Sequence, residues 1–148
     1  MDLEKYAIFK GVDDFYYEFY SVGPNGRIKK IVTFTALTDY EDEYYNLYLG
    51  DWLEAESRAS DNSVSNNGDR DKVLATVASI VVHFTALMPK AVIFAQGSTP
   101  SRTRLYQIGI KSHWQEINED FDVHGFRQAK WERFQKSRNY EAFLLRRK

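Results

Sequence analysis

The residues best suited to chemistry lie in one run, Gly97-Ser98-Thr99-Pro100-Ser101-Arg102-Thr103-Arg104-Leu105-Tyr106. It follows a short apolar stretch, Ala91–Ala95, and opens a helical pattern. A strand that ends in glycine and passes through hydroxyl residues into a helix leaves backbone N–H groups pointing outward. The helix dipole adds about half a positive charge there. Arg102 and Arg104 bring guanidinium forks, which match phosphate or carboxylate geometry. The run therefore reads as an anion pocket, with Gly97, Ser98, Thr99, Ser101, Arg102, Thr103, Arg104 and Tyr106 as ligand-binding residues. The alternative is plain helix capping, with the arginines answering acids such as Asp39, Glu41 or Asp42. It is not a P-loop, since GxxxxGK[ST] is missing.

A second constellation is Asp120-Phe121-Asp122-Val123-His124. On a strand, Asp120, Asp122 and His124 share one face and offer three ligand atoms for a divalent metal. With Gly97-Ser98 upstream, this looks like the nucleotidyltransferase pattern, in which carboxylates hold magnesium for an in-line displacement. The interval from Ser98 to Asp120 is longer than that pattern expects. The alternative is a half-exposed strand with a polar outer face. A restriction-endonuclease reading fails because no strand carries Glu-x-Lys. There is no GxSxG elbow and no set that reads as a Ser-His-Asp triad. His83, in VASIVVHFTAL, and His113, beside Trp114, read as core or edge residues. No catalytic residue, resident metal or cofactor is assigned.

The elements that must position these residues follow from periodicity. Phe15–Val22 and Arg27–Thr38 are aromatic and β-branched, with Gly23-Pro24-Asn25-Gly26 between them as a hairpin turn. In the second strand Ile28, Val32, Phe34 and Ala36 share a parity that Lys30 interrupts. Asp39–Asp42 makes a turn, and Tyr44–Leu49 alternates as a third strand. Residues 57–68 are small and polar and predict a mobile loop. Asp69 reads as the cap of a helix whose stripe is Val73, Val77, Ile80, Val81, Phe84 and Leu87, stopped by Pro89. Ala91–Ala95 reads as a strand covered on both faces. Thr99 or Ser98 caps the next helix, Pro100 takes its first position, and Tyr106, Ile110, His113, Trp114 and Ile117 form its stripe. Phe121–Gly125 is a short strand, 127–139 a loop or short helix, and Tyr140–Leu145 a last strand. The order βββ-α-β-α-β-β predicts one α+β domain over residues 1–148, a mostly antiparallel mixed sheet with two helices.

Composition narrows the partners. The chain has 148 residues, a net charge of −1 and no cysteine, so disulfides, thiolate zinc sites and thiol nucleophiles are excluded. No stretch has the ~20 apolar residues needed to span a bilayer, and the N-terminus lacks a signal pattern, so a soluble, cytoplasmic setting is expected. Residues 1–61 carry 13 acids against 6 bases, whereas 121–148 carry 3 acids against 8 bases. The simplest consequence is that the two ends neutralise each other. The tyrosines in YYEFY and EYYNLY have acidic neighbours in sequence, which argues against nucleic acid on the first three strands. If any segment contacts nucleic acid, it is the basic 127–148. Without that, the expected partner is an anionic small molecule or a protein. A pure interaction module would expose an apolar patch near Trp131 and Phe134.

The run FAQGSTPSRTRLYQIGI, with the C-terminal WERFQKSRNYEAFLLRRK, resembles a family of small, functionally uncharacterised bacterial proteins, mainly from Bacteroidetes. Its most specific part is the GSTP-x-RTRLY core. The resemblance implies a bacterial cytoplasmic setting and no activity.

Overall fold

The computed structural model describes residues 4–37, 43–60 and 67–148. Among them are nine strands: β1 (Phe9–Lys10), β2 (Tyr16–Gly23), β3 (Gly26–Ala36), β4 (Tyr44–Leu53), β5 (Arg58–Ser60), β6 (Val92–Ala95), β7 (Phe121–Arg127), β8 (Lys130–Arg133) and β9 (Ala142–Arg147). Three helices join them, α1 (Arg70–Leu87), α2 (Pro100–Ser112) and α3 (Trp114–Asp120). The fold is α+β. The strands form one sheet in the order β1-β2-β3-β4-β6-β9-β7-β8, with β5 beside β4. The β4–β6 pair is parallel, and every other pairing of the described residues is antiparallel. A parallel pair needs a long crossover, which α1 supplies.

The β2–β3 hairpin closes at Gly23↔Gly26, and Gly26 takes φ +88°, which suits glycine and strains other residues. Strand alternation then sends Tyr17, Phe19, Val32, Phe34, Tyr45, Leu47 and Ile93 to one side, where the helices lie. Phe84 of α1 stacks on Phe34 at 4.0 Å and meets Tyr45 edge-on at 5.3 Å. Trp114 of α3 packs on Phe134 at 4.9 Å. The helices therefore cover one face of the sheet and leave the other without a helical layer. No described helix is long and apolar enough to cross a membrane.

The structure departs from several sequence expectations. The second helix is two, because His113 leaves helical geometry (φ −116°, ψ 22°) and serves as C-cap of α2 and N-cap of α3. His113 is itself buried, and the break turns Trp114 onto Phe134. Of the expected mobile loop 57–68, Arg58–Ser60 is strand β5, ordered by backbone pairing to β4 (Asp51↔Ser60) rather than by apolar burial. Asn67 is buried, and 61–66 lie outside the described residues. The turn expected at Asp39–Asp42 also lies outside them. Part of 127–139 is strand β8, neither loop nor helix, because Lys130–Arg133 pairs back on β7. Leu87, placed on the stripe of α1, is exposed.

Asp69 precedes α1 but makes no side-chain cap. Its Oδ2 instead accepts from Tyr6 Oη (2.6 Å) and Ser21 Oγ (2.5 Å). Asn67 Nδ2 donates to Ser21 Oγ and to the carbonyl of Gly26, while its Oδ1 accepts from the Asn25 amide. These bonds tie the start of α1 to the hairpin turn. Each satisfies a polar group that burial would otherwise penalise.

Candidate ligand pocket at the β6–α2 junction

Gly97 is a glycine because α2 begins on top of it. A Cβ there would sit 2.3 Å from Arg102 Cβ and 2.4 Å from the Thr103 nitrogen. The contact is held from both sides. The Gly97 amide donates to Thr103 Oγ1 (3.0 Å), and that hydroxyl donates to the Thr99 carbonyl (3.3 Å). Thr99 is the N-cap, its Oγ1 accepting from the Arg102 amide at 3.2 Å, and Pro100 occupies the first turn. Capping is therefore present, and Thr99 and Thr103 are committed to it. The N–H groups of Gly97, Arg102 and Thr103 are used within the chain.

Beside this junction is a small open pocket of about 60 Å³, lined by Asn46, Leu47, Tyr48, Leu49, Gln96, Gly97, Ser98, Arg102 and Tyr106. It arises from a mismatch in strand length. β6 pairs with β4 only as far as Leu47↔Ala95, after which β4 runs on to Leu53 and the chain after β6 turns into α2. Crevices of this kind open beyond the carboxyl ends of parallel strands. Four of the expected binding residues (Gly97, Ser98, Arg102 and Tyr106) line it. Ser101 and Arg104 are exposed on α2 and do not. Ser98, Arg102, Tyr106 and Tyr48 already have partners within the chain. Gln96 adjoins the run in sequence, whereas Asn46 and Tyr48 escaped sequence reasoning because the β4–β6 pairing brings them there. The alternation of β4 was their only trace. Asp39, Glu41 and Asp42, named as answers to the arginines, lie outside the described residues.

The carboxylates of β7 are elsewhere. Asp122 is level with Arg146, which is level with Val92 at the start of β6. Since β7 and β6 run the same way either side of β9, Asp120 and Asp122 sit at the opposite end from Ser98. The three steps from Val92 to Ala95 alone are roughly 10 Å, and the two strand spacings roughly 10 Å more. A shared magnesium needs ligands at roughly 2 Å, so the nucleotidyltransferase constellation does not assemble. Asp122 faces Arg133 at 3.9 Å, His124 is exposed, and no described cluster of three such residues could hold a metal. His83 is exposed, its ring edge-on to Tyr17 at 5.8 Å.

The middle of α2 is fixed by Gln107. Its Nε2 donates to the Arg138 carbonyl (2.6 Å) and its Oε1 accepts from the Tyr140 amide (3.0 Å). Arg138 grips both oxygens of Glu132, at 2.9 and 2.7 Å, and Tyr140 Oη donates to the same carboxylate at 3.0 Å. Desolvation alone would raise the Glu132 carboxyl, but the bonds from Tyr140 and Arg138 win and lower it. Phe134 is buried and Trp131 exposed, so the apolar patch expected near that pair contains Trp131 alone of the two.

A family model covers residues 2–148. The chain belongs to that family, a family of unknown function (DUF6934). The match takes in the β6–α2 junction, β8 and β9 alike, so the DUF6934 family spans both the pocket and the Glu132–Arg138–Tyr140 group. No curated protein and no solved structure matches the chain.

Proposed function

We propose that this protein binds a small anionic ligand, carrying a phosphate or carboxylate, in the pocket between β4 and the β6–α2 junction. The supporting observation is the convergence of Gln96, Ser98, Arg102 and Tyr106 from the β6–α2 junction with Asn46 and Tyr48 from β4. Arg102 supplies charge and a planar fork, and the start of α2 adds its dipole. Ordinary ligand pockets are ~300–1,000 Å³. At about 60 Å³ this one suits an anionic head group, with the rest of the ligand outside. Thr99 and Thr103 hold the junction in shape, and the exposed Arg104 attracts the anion without contacting it.

The test is thermal unfolding with phosphate, nucleoside phosphates and dicarboxylates. A stabilising shift in the wild type is expected, lost in Arg102→Ala and retained in Arg104→Ala. Absence of any shift in the wild type across the panel, or an undiminished shift in Arg102→Ala, would remove the reading.

A further inference from the structure

The side of the sheet turned away from the helices carries aromatic rings along its whole width. Tyr16 and Tyr20 of β2 and Tyr48 of β4 lie on it, each half-buried. Phe94 of β6, Phe126 of β7 and Trp131 of β8 continue it. Trp131 is 42% exposed and leans across the strands, its ring 5.1 Å from Phe126 and 6.2 Å from Phe94. Among the described residues no helix covers these rings.

Register changes what surrounds them. In sequence the tyrosines stand among acids. In the sheet, Lys29 lies opposite Tyr20, and Arg27 stacks over the Tyr20 ring at 3.8 Å. On the other half Arg133 lies opposite His124, and Arg146 opposite Asp122. Among the described residues the strand carboxylates on this face are Glu18 and Asp122, which face Lys29 at 3.4 Å and Arg133 at 3.9 Å. Among the described strand residues the face thus carries more cations, Arg27, Lys29, Arg133 and Arg146, than acids, on a chain whose net charge is −1.

We infer that this face is a platform for single-stranded nucleic acid. Exposed rings on a sheet stack unpaired bases, and cations between them meet the phosphates. The charge argues against a second copy as the occupant, because a two-fold sandwich would set this cationic face against itself. It argues for a polyanion that also offers flat apolar surfaces. A duplex hides its base faces and is not recognised this way. The inference does not rest on the anion pocket, although Tyr48 borders both.

The experiment is fluorescence anisotropy of labelled oligo(dT) and oligo(U) of about 15 nucleotides, and of a duplex of equal length, in about 50 mM salt. Both single strands, or one of them, should bind at least about tenfold more tightly than the duplex. Trp131→Ala and Tyr20→Ala should each weaken binding by about 5- to 100-fold. Arg133→Ala should weaken it across sequences and lower the salt slope by about 1. Lys111→Ala, exposed on α2 on the helical side, should bind as the wild type does. Unchanged thermal midpoints will show that the variants fold. Absence of binding, equal affinity for duplex, or unaltered affinity in Trp131→Ala overturns the inference. So does a stable dimer in light scattering that Trp131→Ala dissociates.

Discussion

Lys30 and Asp51 stand opposite each other in register across β3 and β4, and their side chains pair at 2.6 Å while only 7% and 4% exposed. Both lie on the parity that faces the helices, among Val32, Phe34, Leu47 and Leu49. The interruption that Lys30 makes in an apolar face is answered by a matching interruption on the neighbouring strand.

Breaking that pair should be costly. Asp51→Asn removes the carboxylate that pairs with this buried ammonium, and the expected loss is about 3–5 kcal/mol. Lys30→Met with Asp51→Leu restores an apolar pair and should recover most of that loss. Urea unfolding of the singles and the double, read as a double-mutant cycle, measures the coupling. Additive losses would show that the two residues act separately.

Gly97→Ala should destabilise by about 1–3 kcal/mol, because the new methyl meets backbone as well as the Arg102 side chain. Any relief must move α2, and Arg102 with it, so anion-induced stabilisation should fall in the same variant. Ser101→Ala, on the exposed side of the same turn, should leave both quantities unchanged. Chemical denaturation with and without phosphate separates the two effects.

Tyr17 is 1% exposed, and its hydroxyl is a buried side-chain group without a partner among the described residues. Burial, with Asp14 and Asp13 adding to it, pushes the phenol up to about 12 from its ordinary 10.0. A pKa raised on folding contributes stability below the ordinary value and loses it as pH rises through the folded one. Stability should therefore fall between about pH 10 and about pH 12. Burial raises Tyr6, Tyr45 and Tyr140 as well, in the same direction. Tyr17→Phe should stabilise by about 1 kcal/mol at neutral pH, since it removes an unsatisfied donor, and should make the alkaline decline shallower. Urea midpoints on both sides of pH 10 will show whether it does.

The way the sequence yielded these features differs from site to site. Thr99, Pro100 and the apolar stretch before Gly97 are local signals, and the strand-to-helix junction they specify was readable within ten residues. The strand β8 was not, because KWER carries no alternation long enough to register. It is a strand only because Phe126 and Arg127 fold back on Trp131 and Lys130. Asp69 was misread for a related reason. A carboxylate before a helix usually caps it, and here Tyr6 and Ser21, 63 and 48 residues away, claim the oxygen first.

By itself, the sequence determined the α+β class, the β2–β3 hairpin, the stripe of α1 apart from Leu87 and the capped start of α2. These depend on spacing of two or three to four residues and on the backbone preferences of Gly, Pro and Thr. Tertiary structure alone decided which strands are neighbours. Pairing of β4 with β6 opened the pocket beside Arg102, and pairing of β6, β9 and β7 carried Asp122 away from Ser98. Pairing of β2 with β3 set Lys29 against Tyr20. Register between distant segments is a property of two stretches of chain at once, and no local pattern in either can contain it.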